Sequence, residues 1–441
     1  MKIQLPDKVN RIIHTLEDAG FEAYAVGGCV RDSVLGREPA DWDITTSAKP
    51  LQVKELFEKT VDTGLAHGTV TVLLGREGFE VTTYRIDGTY EDCRHPSEVS
   101  FTADLREDLR RRDFTMNAMA YNDRDGLVDI FGGEEDMKSG IIRCVGNAEE
   151  RFSEDALRIL RAVRFAAQLG YGIEEETAAA ASLLAGNLAN ISAERICTEL
   201  VKMLTSPHPE LLRTAYELGL TKVFLPEFDA AMETEQNNPH HMYSVGEHTL
   251  KAMTFVEDKK HLRLAMLFHD LGKTRTKTTD EDGVDHFHGH AQAGAEMAVS
   301  IMHRLKMDND TIDRVKRLVY YHDVRPGADP VSVRRLMNRV GKDHFEDLMQ
   351  VSGADVLAQS SYHKMEKLMA VETVADIYAA SVVKGECTTL KELAVTGKDL
   401  IAAGMKPGKE IGEVLQRLLE DVREEPEHNR KEYLLARAFE N

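Results

Sequence analysis

A change of periodicity near Gly146 constrains the fold of this chain more than any other feature. From about residue 20 to 145, short β-like runs (Thr69 to Leu74, Phe79 to Tyr84, Ala118 to Tyr121) are separated by turn signals such as Arg85-Ile86-Asp87-Gly88. Beyond Gly146, Ala, Leu and Glu dominate. Amphipathic stretches of 3.6-residue period then run almost to the end, broken at Ser206-Pro207-His208-Pro209, Pro226 and Arg325-Pro326-Gly327. A chain of 441 residues has room for about two to four domains. The expected plan is an α+β head over residues 1–145, a helical neck over 146–225, a histidine-rich helical body over 226–335 and a helical tail over 336–441.

Composition narrows the function classes. An apolar fraction of 42% and a charged fraction of 29% describe an ordinary soluble protein with enough chain for large cores. Five cysteines (Cys29, Cys93, Cys144, Cys197, Cys387) form no CxxC pair, so neither a disulfide framework nor a zinc ribbon is indicated. The N-terminus lacks an apolar signal-like segment and no run of 18 apolar residues occurs, so a cytoplasmic location without membrane contact is expected. A net charge of −20 excludes a protein that coats nucleic acid through bulk basicity. Local strips remain: Arg106, Arg110, Arg111 and Arg112 cluster, and Arg151, Arg158, Arg161 and Arg164 follow. Polynucleotide affinity should therefore be modest and salt-sensitive.

In Val26-Gly27-Gly28-Cys29-Val30-Arg31-Asp32 an apolar strand runs into a tight turn whose bare backbone can approach a phosphate. Asp41 and Asp43 follow in Pro39-Ala40-Asp41-Trp42-Asp43-Ile44. If Trp42 to Thr45 is a strand, both carboxylates face one side and could hold a pair of Mg²⁺ ions about 3.5–4 Å apart for nucleotidyl transfer. Taken alone, the pattern also suits a Gly-Gly hairpin with surface aspartates. Arg111-Arg112-Asp113-Phe114-Thr115-Met116-Asn117 brings two guanidinium forks suited to a triphosphate, or equally a solvated basic face. The third element, Ser153 to Phe165, is an amphipathic helix with Ser153 as the expected N-cap. Asp155, Arg158, Arg161 and Arg164 recur at i,i+3 along its polar edge, so an acceptor (Asp155) and a donor (Arg158) can meet a nucleobase side by side.

Together, Gly27-Gly28-x-x-Arg31-Asp32, Asp41-x-Asp43, Arg111-Arg112-Asp113-Phe114-Thr115-x-Asn117-Ala118 and Glu154-Asp155-x-x-Arg158 resemble, in order, the motifs of class II tRNA nucleotidyltransferases. These are the CCA-adding enzymes and their poly(A) polymerase relatives. Leu127 to Gly133 and Ile191-Ser192-Ala193-Glu194-Arg195-Ile196 fit as well, and the likeness returns near Thr396 to Leu400. The resemblance implies a polymerase-β-like head and template-independent addition of CMP and AMP from CTP and ATP to the tRNA 3′ end. Asp41 and Asp43 would be catalytic and hold Mg²⁺. Gly28, Arg31 and Arg112 would bind phosphates and ribose, Asp155 and Arg158 would pair with the base, and Arg161 and Arg164 would support that pocket. Glu80 is either a third acidic group or a surface strand residue. The polar segment Asp87 to Pro96 occupies the place of the family's flexible loop, which favours ATP-competent members. An A-adding or poly(A) enzyme is the runner-up, and the acidic ending Arg423-Glu424-Glu425-Pro426-Glu427 counts against a poly(A) polymerase. No protein partner is expected.

A second constellation lies between His240 and His322. His248, His269-Asp270, the alternating His286, His288 and His290, and His322-Asp323 supply imidazole and carboxylate donors suited to Mn, Fe, Ni, Zn or Mg. The order His248, His269-Asp270, Asp323 resembles the HD phosphohydrolase domain, with His290 and His322 extending it to a second metal. From this comes an alternative of another class, a metal-dependent phosphohydrolase whose head only binds RNA. A pure RNA-binding protein, indifferent to both metal sites, ranks last. In the tail, Gly404-Met405-Lys406-Pro407-Gly408-Lys409 is either an RNA phosphate contact or a simple helix break.

Overall fold

The computed structural model describes residues 2–87 and 99–440. The segment expected to form a loop, Asp87 to Pro96, lies from Gly88 onward outside the described residues. The chain packs as two compact units, Met1–Pro226 and Glu227–Asn441.

The first unit is built on a mixed seven-stranded sheet. Its strands are β1 (Ala23–Val26), β2 (Ile44–Thr46), β3 (Thr60–Gly64), β4 (Thr69–Leu74), β5 (Glu77–Thr83), β8 (Met119–Asn122) and β9 (Gly126–Asp129), in the order β3-β4-β5-β2-β1-β8-β9. All pairings are antiparallel except β2 with β5, where Ile44 lies opposite Val81. The apolar runs of β1 and β8 are buried at every residue, as central strands covered on both faces require. Arg85-Ile86-Asp87, expected to be a turn, is instead strand β6, paired with β7 (Val99–Phe101). The β-branched Ile86 and the partner strand outweigh the local turn signal.

Strand β2 starts two residues later than expected. β1 runs out at Val26, so residues before Asp43 have no partner, and the last bond of the ladder is Val26 N–H to the Asp43 carbonyl (3.0 Å). The amphipathic helix also begins late. A helix Ala148–Glu154, capped by Asn147, stops at Asp155, and a second helix spans Leu157–Leu169. Ser153 is therefore inside the first helix and not a cap. The second unit is all-helical apart from the short pair Thr278–Thr279 and Asp285–His286.

Candidate active site and metal centre

Asp41 and Asp43 sit in the extended segment that enters β2, and both keep solvent-facing surface. The parallel register between β2 and β5 brings Glu80 alongside Asp43. Surrounding protein pushes the Asp43 carboxyl up to about 6, the Asp41 and Glu80 charges add to this, and Arg112 opposes them. Asp41 and Glu80 thus act electrostatically on Asp43, and carboxylate oxygens are the donor type that suits a divalent cation.

Facing them is a frame of fixed guanidinium groups. Gly27 has φ of +81°, and a Cβ there would meet Arg112 Nη1 at 3.0 Å, so only glycine lets the turn and the arginine share this space. Arg111 and Arg112 both donate to the buried Asp108 (2.6 and 3.4 Å). Burial opposes the Asp108 charge, yet the two arginines prevail and its pKa is lowered. Arg31 Nη1 donates to Asn117 Oδ1 (2.8 Å), and Asn117 Nδ2 donates to Asp113 Oδ1 (3.1 Å). Asp113 Oδ2 in turn accepts from Arg161 (2.6 Å). Although Asp113 is buried, Arg161 and Asn117 hold its pKa down at about 2. The network from Arg31 to Arg161 joins the glycine turn to the helix Leu157–Leu169.

On that helix, Arg158 donates to Glu154 (2.7 Å) and to the carbonyls of Arg151 and Arg111 (both 3.1 Å). Asp155 lies at the break before it. Its Oδ1 accepts the Leu157 amide (3.1 Å) and its Oδ2 accepts Arg195 Nη2 (2.9 Å). Asp155 is therefore not the first member of the helical i,i+3 series expected from sequence. Arg164 is buried and paired with the buried Glu199 (2.6 Å) on the helix Ala193–Leu204. Arg195 and Glu199, not singled out by the spacing argument, both contact residues that were.

In the second unit, His248, His269, Asp270 and Asp355 present four buried donors within 4.8 Å of one another, and Asp270, His290 and His322 form a second such group. The Nε2 atoms of His248 and His269 are 3.3 Å apart, and His248 Nε2 is 3.1 Å from Asp355 Oδ1. Asp270 Oδ1 lies 3.7 Å from His290 Nε2 and 3.6 Å from His322 Nε2. Nδ1 of His269, His290 and His322 points at a backbone carbonyl (Met266, Phe287 and Val319, at 2.7, 2.8 and 2.7 Å), which leaves each Nε2 free to ligate. The fit to divalent metal is good in donor type and in ring orientation. Gly272 makes the approach possible: a Cβ there would lie 2.0 Å from the His290 carbonyl oxygen.

The structure places Asp355, and not the expected Asp323, in the donor group with His248, His269 and Asp270. Asp323 stands at the cavity rim with a side chain 56% exposed, its nearest imidazole, His290, 4.0 Å away. Asp355 sits on the buried face of the helix Lys342–Ala358. His286 is bound to Asp280 (2.8 Å), and neither it nor His288 belongs to either donor group. Both line the 560 Å³ cavity above the cluster, together with Lys273, Arg325 and Lys367.

Family models match the chain in three segments: a poly A polymerase head domain over residues 23–143, an RNA- and SrmB-binding site of polymerase A over 170–232, and tRNA nucleotidyltransferase domain 2 over 279–438. The CCA-adding enzyme of Lactobacillus helveticus is 38% identical over 425 residues, covering 95% of this chain and 94% of that protein. That of Levilactobacillus brevis is 34% identical over 412 residues, covering 92% and 90%. Among solved structures, the Bacillus stearothermophilus CCA-adding enzyme in complex with CTP superimposes with a TM-score of 0.72 at 30% identity, covering 99% of this chain and 98% of that one. No helix among the described residues is long and apolar enough to cross a membrane.

Proposed function

The chain belongs to the CCA-adding enzyme family, and from that membership we propose that it builds or repairs the complete CCA end of tRNA from CTP and ATP in one active site. The observation that supports the mechanism is the electrostatic coupling of Asp43 to Asp41, Glu80 and Arg112, next to the turn whose Arg31 is held by Asn117. Asp41 and Asp43 would hold the catalytic Mg²⁺, with Glu80 beside them. Bound there, the ion would supply neutralisation of the triphosphate charge and activation of the RNA 3′-hydroxyl. Arg31 and Arg112, fixed by Asn117 and Asp108, bind the phosphates, and the turn at Gly27-Gly28 admits them to the backbone.

Asp155 and Arg158 choose the base. Cytosine and adenine each present an exocyclic amine beside a ring-nitrogen acceptor, and a carboxylate with a guanidinium matches that pair. Uracil and guanine present the reverse, a carbonyl beside a ring N–H. Arg161 and Arg164 brace the helix that carries the template. Lys406 and Lys409 of the tail offer charge to RNA phosphate.

The test uses tRNAs ending at the discriminator base, at C and at CC, each with labelled CTP or ATP and Mg²⁺. Two C's followed by one A establish the full reaction. Growth from the CC end alone would make this an A-adding specialist.

The buried histidine cluster supports a second activity in the same chain, phosphoester hydrolysis, for which a divalent ion would supply an activated water. His248, His269, Asp270 and Asp355 would hold one ion of the Mn, Ni, Fe or Mg type, and Asp270, His290 and His322 would hold a second. Phosphate release that needs added Mn²⁺ or Ni²⁺ and disappears with His269→Ala is the expected result.

A further inference from the structure

We propose that the cavity over the histidine centre is a binding site for phosphomonoesters, and that Lys367 and His240 form the wall that grips the phosphate. The inference deepens the phosphoesterase reading of that centre and rests on it. Lys367 projects from the first turn of the helix Lys364–Val383 and lines the 560 Å³ cavity together with Ala370, one turn further along. The other two cations of the lining already have counter-ions: Lys273 lies 2.8 Å from Asp270, and Arg325 lies 3.1 Å from Asp355. Lys367 has none. Its ammonium donates to Gln359 Oε1 (2.6 Å) and to His240 Nδ1 (2.8 Å), both neutral groups, and among the described residues no carboxylate comes within ion-pair distance of it. A half-buried lysine with neutral partners keeps an uncompensated charge and one N–H to spare. An anion in the cavity supplies the partner for both.

His240 extends the grip. A lysine ammonium only donates, so His240 Nδ1 is the acceptor and the ring proton resides on Nε2. Among the described residues no protein acceptor meets that N–H, and the ring lines the same cavity. Its place is fixed: the Tyr362 ring stands edge-on with centroids 5.0 Å apart, and the Ser360 amide donates to the His240 carbonyl (2.9 Å). Gln359, the other partner of Lys367, also donates through Nε2 to Asp355 Oδ1 (3.1 Å), which ties this wall to the metal-donor group. The charge of the lining then selects the class of ester. Asp285 is paired with Lys277 (2.8 Å), which leaves Asp270, Asp323 and Asp355 against Lys273, Arg325 and Lys367. With its imidazoles neutral, the lining is balanced before any metal enters, and divalent ions held by the two donor groups would give it a positive excess. A phosphomonoester dianion cancels more of that excess than a diester monoanion does. It also carries a third terminal oxygen, available to Lys367 and His240 while the others serve the metal centre.

The experiment loads the full chain with Mn²⁺ and titrates it calorimetrically with inorganic phosphate and, in a second arm, with dimethyl phosphate as the diester probe. Wild-type protein should bind inorganic phosphate clearly more tightly than the dialkyl ester. Lys367→Met should weaken phosphate binding on the order of tenfold or more, the size of one charged hydrogen bond. Lys367→Arg, which keeps the charge, should retain most of the affinity, and His240→Phe should show a smaller loss than Lys367→Met. Mn²⁺ content and CTP incorporation into tRNA should be unchanged in all three variants, which establishes that they fold. Equal phosphate affinity in Lys367→Met and wild type would make Lys367 a structural residue and overturn the inference. Dimethyl phosphate bound as tightly as inorganic phosphate would overturn it as well. Hydrolysis of p-nitrophenyl phosphate by the same preparations separates the binding site from the activity beneath it. Phosphate binding that depends on Lys367, with no ester cleaved, would sink the phosphoesterase reading and keep the anion site. A chain that takes up no Mn²⁺ and binds no phosphate would overturn both.

Discussion

Asp43 shows how far neighbours can move the chemistry of one side chain. Its folded pKa, about 6, lies above the ordinary carboxylate value because of burial first and then the Asp41 and Glu80 charges. A raised carboxylate pKa means that the metal-free site retains a proton below about pH 6, and a cation must displace it. Apparent Mg²⁺ affinity should then be flat above that pH and fall on the order of tenfold per unit below it. Calorimetric titration of Mg²⁺ between pH 5 and 8 checks this, and Asp43→Asn should abolish the slope. A second residue-scale prediction separates two aspartates. Asp355→Ala should remove the ion of the His248, His269 and Asp270 group and Asp323→Ala should leave the metal content unchanged, as read by elemental analysis of the purified protein. Asp323 stood out in the sequence because it adjoins His322. Asp355 did not, because it comes in Val351-Ser352-Gly353-Ala354-Asp355-Val356, inside an ordinary helical stretch. The available signal was a lone carboxylate at a position whose neighbours Val351, Ala354 and Val356 are all core residues.

At the scale of elements, the paired helices Leu157–Leu169 and Ala193–Leu204 are joined by a buried ion pair. The Arg164–Glu199 bridge between them is almost completely buried, with side chains 8% and 5% exposed. Burial lowers the Arg164 pKa to about 10, and Glu199 acts against the shift. Glu199→Ala leaves that guanidinium without its carboxylate, with only Gln168 and the Phe165 ring as partners, and should cost about 3 kcal/mol. Replacing both partners by apolar residues should restore most of the loss. Urea denaturation of the two variants measures the difference. The same elements mark where sequence reasoning succeeds and stops. Apolar periodicity located the buried face of the template helix, and the strands β4, β5 and β8 fell where alternating or continuous apolar runs put them. The break at Asp155 escaped, because Glu154, Asp155 and Ala156 are all acceptable inside a helix. The local bond from the Leu157 amide to Asp155 and the tertiary grip of Arg195 on the same carboxylate favour the interruption. The late start of β2 is likewise set by where β1 ends, a non-local fact that Asp41-Trp42-Asp43 does not contain.

For the whole molecule, charge and active site pull in opposite directions. A chain of net charge −20 repels polyanions at long range, while Arg31, Arg112, Arg158 and Arg161 are the cations proposed to serve the nucleotide and the RNA end. Screening the repulsion and screening the contacts both follow from added salt, and the local contacts are the ones that hold tRNA. Its KM should therefore rise with KCl concentration across about 50 to 200 mM, and steady-state CTP incorporation over that range checks the trend. A KM that falls instead would mean that global repulsion governs encounter. Head and neck motifs were legible because their chemistry is compressed into short runs. The histidine centre was legible only in part, since its six donors are spread from His248 to Asp355 over five separate places in the chain. That dispersal gives Asp270 an unusual genetic weight. As the member common to both donor groups, it makes two centres a single mutational target: a change at His290 or His322 leaves one centre intact, whereas a change at Asp270 deletes both in one step.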